Sequence, residues 1–196
     1  MVIPPSPASC WSELETEAKR VRLLAAAGEV FASDGLDAPM PSIAAAAGAG
    51  IGSVYRQFPS KRDLLAALVV ERHQQVEREV EAALDDPAGP GAALTKLLWA
   101  IAERQAVDDV LAEAMATVSE HPGVQEAVAT TMHSLESLLE AAKAEGRLRP
   151  DATAFDLRLL FASTRAARGL NPQAWRRMLE LGIDALGTDT RSPAGR

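Results

Sequence analysis

The sequence predicts an all-α protein, with an N-terminal three-helix helix-turn-helix domain followed by a larger helical domain. Three observations lead there. Alanine and leucine dominate, aromatics make up only 4% of the residues and β-branched residues are few, a balance that favours helices over strands. Apolar residues recur at helical spacing in one segment after another. Between these segments stand Gly, Pro, Asp and Asn in the places where helices start and stop. No strand candidate, internal repeat or long low-complexity run interrupts the pattern.

Each element follows from its own residues. The first helix is expected over 11–33, where Val21, Leu24, Ala27 (or Gly28) and Phe31 repeat at helical spacing, and Asp34-Gly35 ends it. A short second helix is expected over 41–47, with Pro41 in its first turn. Gly48-Ala49-Gly50 breaks the pattern, and a third helix is expected over 51–58 with Gly50 as N-cap. Ser60 and Asp63 resemble a capping box that opens a long fourth helix over 61–84. The run 85–91, DDPAGPG, is the clearest linker. Further helices are expected over 92–106, 108–118, 123–145, 153–168 and 172–186. Thr153 and Asp156 resemble another capping box, and Asn171-Pro172 reads as a cap followed by a first-turn proline. The expected division is a disordered tail over 1–12, the helix-turn-helix domain over 13–66 and the second helical domain over 67–190.

Composition narrows the function classes. At 196 residues, 47% of them hydrophobic, the chain is large enough for one domain or two small ones with a sizeable core. No apolar run reaches the ~18 residues that a membrane span needs. The N-terminus, MVIPPSPASC, is not a signal peptide. Cys10 is the single cysteine, so an internal disulfide is ruled out and a cytoplasmic location is expected. The net charge of −7 disfavours nucleic acid at first sight, but between Ala18 and Arg62 six cations face three anions. A local net charge of +3 in an acidic chain permits a basic surface.

The stretch 44–61, AAAAGAGIGSVYRQFPSK, has glycines at 48, 50 and 52. A dinucleotide loop reads G-x-G-x-x-G after a strand. Here the third glycine comes one residue early and the preceding residues are helix-forming alanines, and no Gly-Lys-Ser/Thr follows. Two short helices joined by a glycine-containing turn instead make a helix-turn-helix, whose second helix enters the major groove. Helical spacing turns Val54 and Phe58 inward and Gly52, Ser53 and Arg56 outward, with Ile51 and Gln57 beside them.

At these residues the chain resembles the TetR family of transcriptional regulators. The likeness lies in LLAAAGEVF over 23–31 with Gly35 after it, Ile43-Ala44 with Ala47-Gly48, and Gly52-Ser53-Val54-Tyr55 followed by Phe58, Lys61 and Leu64. It covers roughly residues 18 to 66 with specific motifs. The resemblance implies a homodimer that binds a double-stranded DNA operator, with a larger second domain for dimerisation and a small-molecule effector, no membrane association and no enzymatic activity. Its implied DNA-facing residues are Ser42, Ile51, Gly52, Ser53, Tyr55, Arg56, Gln57 and Lys61. Tyr55 and Lys61 are assigned to phosphate, Arg56 to guanine or phosphate, and Ser53, Gln57 and Ile51 to base edges or a thymine methyl. Lys19 and Arg20 are weaker phosphate candidates. Three positions depart from the family pattern. Pro39-Met40-Pro41 replaces the hydroxyl residue that commonly opens the second helix, for which Ser42 stands in; Gln57 replaces a frequent histidine; Gly50 replaces a frequent serine cap.

In the second domain Trp99, Met115, Met132 and Phe161 lie on apolar faces that serve a core or an effector pocket. Leu159, Leu160 and Ser163 on one helix, and Trp175, Met178, Leu179, Gly182 and Leu186 on the next, are the expected dimer interface. His73 and Glu77, four apart, make at most half a metal site, and a satisfied or solvated histidine is the ordinary reading of His73 as of His121 and His133; no metal and no cofactor is expected. Arg165 and Arg168 suit a surface salt bridge better than an anionic effector. Asp85-Asp86 and Asp108-Asp109 read as helix-boundary residues. No catalytic motif is present. Two alternatives stay open: a helical small-molecule-binding or protein-interaction module whose helix-turn-helix does not function, and, more remotely, an enzyme with a glycine cofactor loop.

Overall fold

The structure, a computed structural model, describes residues 11–187; Cys10 and most of the expected tail lie outside them. A short 3-10 turn, Trp11–Glu13, precedes α1 (Thr16–Asp34), α2 (Met40–Ala47), α3 (Ile51–Gln57), α4 (Lys61–Leu84), α5 (Pro90–Val107), α6 (Asp109–Val118), α7 (Pro122–Ala144), α8 (Ala154–Arg168) and α9 (Ala174–Leu186). Among the described residues no strand forms; Leu148 and Gly187 make one isolated bridge. The first helix starts later than expected because Glu15 is extended (φ −66°, ψ 160°) and breaks it from the turn at Trp11. α9 also starts later. The Asn171 side chain accepts from the Gln173 N–H at 2.8 Å, forming a turn of its own instead of capping a helix at Pro172.

The chain divides into two compact units. One runs to Glu71 and includes Asp109–Gln125; the other comprises Arg72–Asp108 and the chain from Glu126. Both α4 and α7 therefore contribute to each unit, and α6 belongs with the first.

In the first unit, Leu23, Ala27 and Phe31 of α1, Ile43 and Ala47 of α2, Val54 of α3, and Phe58 and Leu64 bury their side chains together at 2% exposure or less. These are the apolar positions at helical spacing, so burial follows directly from the periodicity. The expected capping box opens α4. The Ser60 N–H donates to Asp63 Oδ2 at 2.9 Å, and the Asp63 N–H donates back to Ser60 Oγ at 3.2 Å.

The second unit has its own core, built from Val76 and Val80 of α4, Leu94 and Leu98 of α5, Leu135, Leu138 and Leu139 of α7, Leu157 and Leu160 of α8, and Trp175 and Leu179 of α9. Trp99 meets Trp175 edge-on, with ring centroids 6.1 Å apart. α8 opens with the expected reciprocal capping box of Thr153 and Asp156. α8 and α9 pack closely because Gly182 lacks a side chain: a Cβ there would collide with Leu160 Cδ1.

Candidate DNA-binding surface

The α2–α3 turn is made by one glycine and displayed by the other two. Gly48 sits in the left-handed region (φ 65°, ψ 29°). Its N–H donates to the Ala45 carbonyl at 3.0 Å, and the Ala49 N–H donates to the Ala44 carbonyl at 2.8 Å. This is a Schellman closure of α2, and only glycine adopts it without strain. Gly50 and Gly52 have ordinary backbone, and a Cβ on either would meet only open space. Nothing inside the protein requires them to be glycine. What they provide is a bare surface at the start of α3, where the backbone lies open to whatever approaches.

α3 presents one face inward and the rest outward. Val54 is fully buried and anchors the helix, with Phe58 at its end. Ile51 is 41% exposed and Tyr55 47%, large apolar areas to leave in water on so short a helix. Arg56 is exposed, and its Nη2 donates to Ser53 Oγ at 2.8 Å. Ser53 and Gln57 are half-buried beside it. Ser42 is half-buried in the first turn of α2, which opens on Pro39 in extended backbone with Met40 turned into the core. The Pro39-Met40-Pro41 stretch is thus spent on starting the helix and filling the interior.

Cations surround this face. Lys61 Nζ lies 5.8 Å from the centre of the Phe31 ring, and the Arg20 guanidinium lies 5.0 Å from that of Phe58. The same buried rings that build the core therefore hold two positive charges in place. A cleft of about 400 Å³ runs beside α3, lined by Trp11, Thr16, Lys19, Ser53, Arg56 and Gln57. It brings Lys19 next to the recognition residues. Trp11 and Thr16 were not visible in the sequence as site residues, because no helical period links them to α3; only the fold does. Behind Lys61, hydrogen bonding from Ser60 holds the Asp63 carboxyl below the usual carboxylate range; partial burial opposes this and His121, whose Nε2 lies 3.5 Å from Asp63 Oδ1, adds to it.

The expected residues of the second domain scatter differently. Trp99, Met132 and Phe161 are partly buried and pack against the core of the second unit, while Met115 stands on α6, which belongs to the first unit. The residues expected at a dimer interface differ in burial within the single chain. Leu160, Trp175, Leu179 and Leu186 are 9% exposed or less within the single chain, and Gly182 is taken up by α8–α9 packing. The apolar face of α9 is spent on the protomer's own core. What remains outward is Leu159 at 50%, Leu181 at 46% and Phe155 at 60% exposure. Leu159, Ser163 and Met178 also line a groove of about 360 Å³. Among the described residues no cluster of three metal-ligating side chains occurs, and no helix is long and apolar enough to cross a membrane. Arg168 donates to the Gln105 carbonyl at 3.1 Å.

Residues 23–68 match the family described as bacterial regulatory proteins, tetR family, and residues 89–188 match the C-terminal domain of SbtR-like transcriptional regulators. Among solved structures, a TetR transcription regulatory protein from Mycobacterium vanbaalenii is 29% identical, with 86% of this chain and 95% of that one covered at a TM-score of 0.64. The TetR transcriptional regulator SCO0520 from Streptomyces coelicolor is 27% identical over 87% and 99%, at 0.68. SmeT, the repressor of the Stenotrophomonas maltophilia multidrug efflux pump SmeDEF, shares the fold at 24% identity over 94% and 96%, at 0.63. No curated protein matches. The helix-turn-helix geometry and these matches over both parts of the chain place it in the TetR family of DNA-binding transcriptional regulators.

Proposed function

We propose that the protein is a homodimeric repressor that binds a palindromic operator in the cytoplasm and is released by a small-molecule effector. The observation that carries this reading is the face of α3, where Gly52, Ile51, Tyr55 and Arg56 point outward around an open backbone while Val54 and Phe58 lock the helix from within. A structural helix would hide Ile51 and Tyr55; a recognition helix has to show them. Tyr55 and Lys61 bind phosphate and fix the register. Arg56, Ser53, Gln57 and Ile51 read the base edges, with Ser42 and Lys19 on the flanking backbone.

Dimerisation follows from the outer face of α8 and α9. Phe155, Leu159, Met178 and Leu181 form an apolar surface with small residues, Ala162, Ser163 and Ala185, that permit close approach. A second copy packing there would make a four-helix bundle about a two-fold axis, and the two-fold sets two recognition helices on two half-sites.

Release rests on α4. It begins at Lys61 and contributes to both units, and its 24 residues span ~36 Å at ~1.5 Å per residue. A ligand held in the second unit, with Trp99, Met132 or Phe161 in its wall, shifts α4 and alters the separation of the two recognition helices. Effector and DNA then weaken each other's binding by the same factor. Selection of bound sequences from random DNA by the purified protein tests the first half of the reading. Recovery of an inverted repeat supports it, while a pool that stays random after enrichment refutes sequence-specific binding and favours a helical ligand-binding module instead.

A further inference from the structure

The cleft beside α3 takes half of its lining from outside the helix-turn-helix. Trp11, Thr16 and Lys19 line it together with Ser53, Arg56 and Gln57, around a volume of about 400 Å³. All six residues belong to the first unit. Thr16 and Lys19 stand three apart at the start of α1 and so share a face. Trp11 joins them through a break in the chain. On a continuous helix it would stand about 140° round from Thr16, five residues away at 3.6 per turn. Extended Glu15 interrupts the helix, and the 3-10 turn Trp11–Glu13 carries the indole to the cleft instead.

The chemistry of the lining fits a DNA strand. Lys19 and Arg56 bring two cations, and Thr16 and Ser53 bring two hydroxyls. No carboxylate lines the cleft among the described residues, although Glu15 and Glu17 flank Thr16 in sequence. Trp11, half-buried, adds a flat apolar face with one N–H donor. Position decides which part of the DNA the cleft meets. An α-helix with its side chains is about 10–12 Å across, and the major groove is about 12 Å wide. A recognition helix therefore fills the groove, and what lies directly beside it meets the sugar–phosphate strand at the groove's edge. The cleft is continuous with the recognition surface, because α3 supplies the other half of its lining.

We propose that Trp11 is a DNA-contacting residue outside the helix-turn-helix, and that this cleft seats the sugar–phosphate strand bordering the major groove. The indole N–H donates to one phosphate oxygen while the ring face covers the adjoining deoxyribose. The Lys19 ammonium neutralises the same phosphate, and the Thr16 hydroxyl is a further donor. This rests on the reading of α3 as the recognition helix. With the strand held between Trp11 and Arg56, Trp11 is a positioning residue for base reading: it fixes how deeply Arg56 and Gln57 enter the groove and carries no base preference of its own.

The test uses the full-length protein, the duplex recovered by selection from random DNA and a random duplex of the same length. Labelling with 5-fluorotryptophan gives three ¹⁹F resonances, one for each tryptophan, and Trp11→Phe assigns that of Trp11. Both duplexes should shift the Trp11 resonance and leave those of Trp99 and Trp175, at the core of the second unit, nearly in place. Trp11→Ala should lower affinity for both duplexes about tenfold per subunit, the scale of one hydrogen bond to a charged group. The slope of log K against log salt should stay unchanged, because the indole is uncharged. Trp11→Phe, which keeps a ring face and loses the N–H, should fall between wild type and Trp11→Ala. Lys19→Gln should weaken binding and lower the salt slope by roughly one per subunit. Replacing the contacted phosphate by an uncharged methylphosphonate should weaken the wild type and leave Lys19→Gln unaffected. Wild-type binding with an unmoved Trp11 resonance, or Trp11→Ala binding both duplexes as the wild type does, would overturn the proposal and leave α3 as the recognition helix. A loss confined to the selected duplex would make Trp11 a base reader and overturn its positioning role. A Trp11 resonance that responds to protein concentration instead of DNA would assign the cleft to a second copy of the chain and overturn the proposal too. A wild type that binds neither duplex would defeat both readings.

Discussion

Arg56 offers the sharpest test of the recognition surface. The guanidinium has five N–H donors, and one of its terminal nitrogens already donates to Ser53 Oγ at 2.8 Å. That bond holds the side chain along α3 and leaves a free edge for a bidentate contact with guanine. One such contact contributes about 1–3 kcal/mol of discrimination. In a dimer Arg56→Ala removes two, so operator affinity should fall by between about 30-fold and about 10⁴-fold, while random DNA loses only a phosphate attraction. Fluorescence anisotropy on operator and scrambled duplexes at one fixed salt concentration measures both. A double-mutant cycle adds the role of Ser53. If Ser53 orients Arg56, Ser53→Ala should weaken operator binding in the wild-type background and do little in the Arg56→Ala background. Equal losses on operator and random DNA would show that Arg56 contacts phosphate alone. Additive effects of the two substitutions would show that the 2.8 Å bond does not prepare the arginine for DNA.

Four further outcomes follow. Lys61→Ala should weaken operator and random DNA alike and lower the slope of log K against log salt by roughly one per subunit, as a lost phosphate contact requires; an unchanged slope removes Lys61 from the interface. Gly48→Ala should destabilise the protein by about 1–2 kcal/mol because of its left-handed backbone, whereas Gly52→Ala should leave the melting temperature unchanged and reduce DNA binding, since its Cβ would meet only open space in the free protein. Leu159→Arg should give a folded monomer by sedimentation, while Leu179→Arg, at a fully buried position, should unfold the chain. Asp63 has a folded pKa below its unfolded value, so the stability it contributes is present above the unfolded pKa and lost as pH falls through the folded one; Ser60→Ala should flatten the melting-temperature profile below about pH 4.

Legibility in the sequence tracked how local the physics was. The order and type of all the long helices could be read, because apolar period and capping residues act within a few positions; the boxes at Ser60–Asp63 and Thr153–Asp156 form as their spacing demands. The glycine triplet could be read as a turn, with Gly50 as N-cap and Gly52 outward, yet spacing did not show which of the three the turn requires. Only backbone angles separate Gly48, which the turn needs, from Gly50 and Gly52, which leave the surface bare. Contacts made across the fold left no trace in spacing. Thr16 joins Ser53 at one cleft, and His73 reaches Thr131 fifty-eight residues away. A histidine's partners are set by packing between helices, so the sequence could anticipate a hydrogen-bonded His73 but not that Thr131 would be its partner.

The dimer face shows where periodicity stops being informative. An apolar stripe states that one side of a helix leaves water; it does not state what covers it. On α9 the stripe Trp175, Leu179, Leu186 is covered by the protomer itself, with Leu179 fully buried and Trp175 packed edge-on against Trp99. The interface we propose therefore draws on residues that the stripe leaves out, among them Leu159 and Leu181, about half exposed on adjacent helices. Exposed leucines are individually unremarkable. Leu159 lines a groove with Ser163 and Met178, on the helix pair whose other side is already committed to the core, and with the exposed Leu181 it belongs to the surface that we propose a second copy removes from water. The same reasoning fixes the discriminating pair of variants. A charge at Leu159 meets solvent in the monomer and blocks only association, whereas a charge at Leu179 enters the protomer's interior unpaired and prevents folding before any dimer forms.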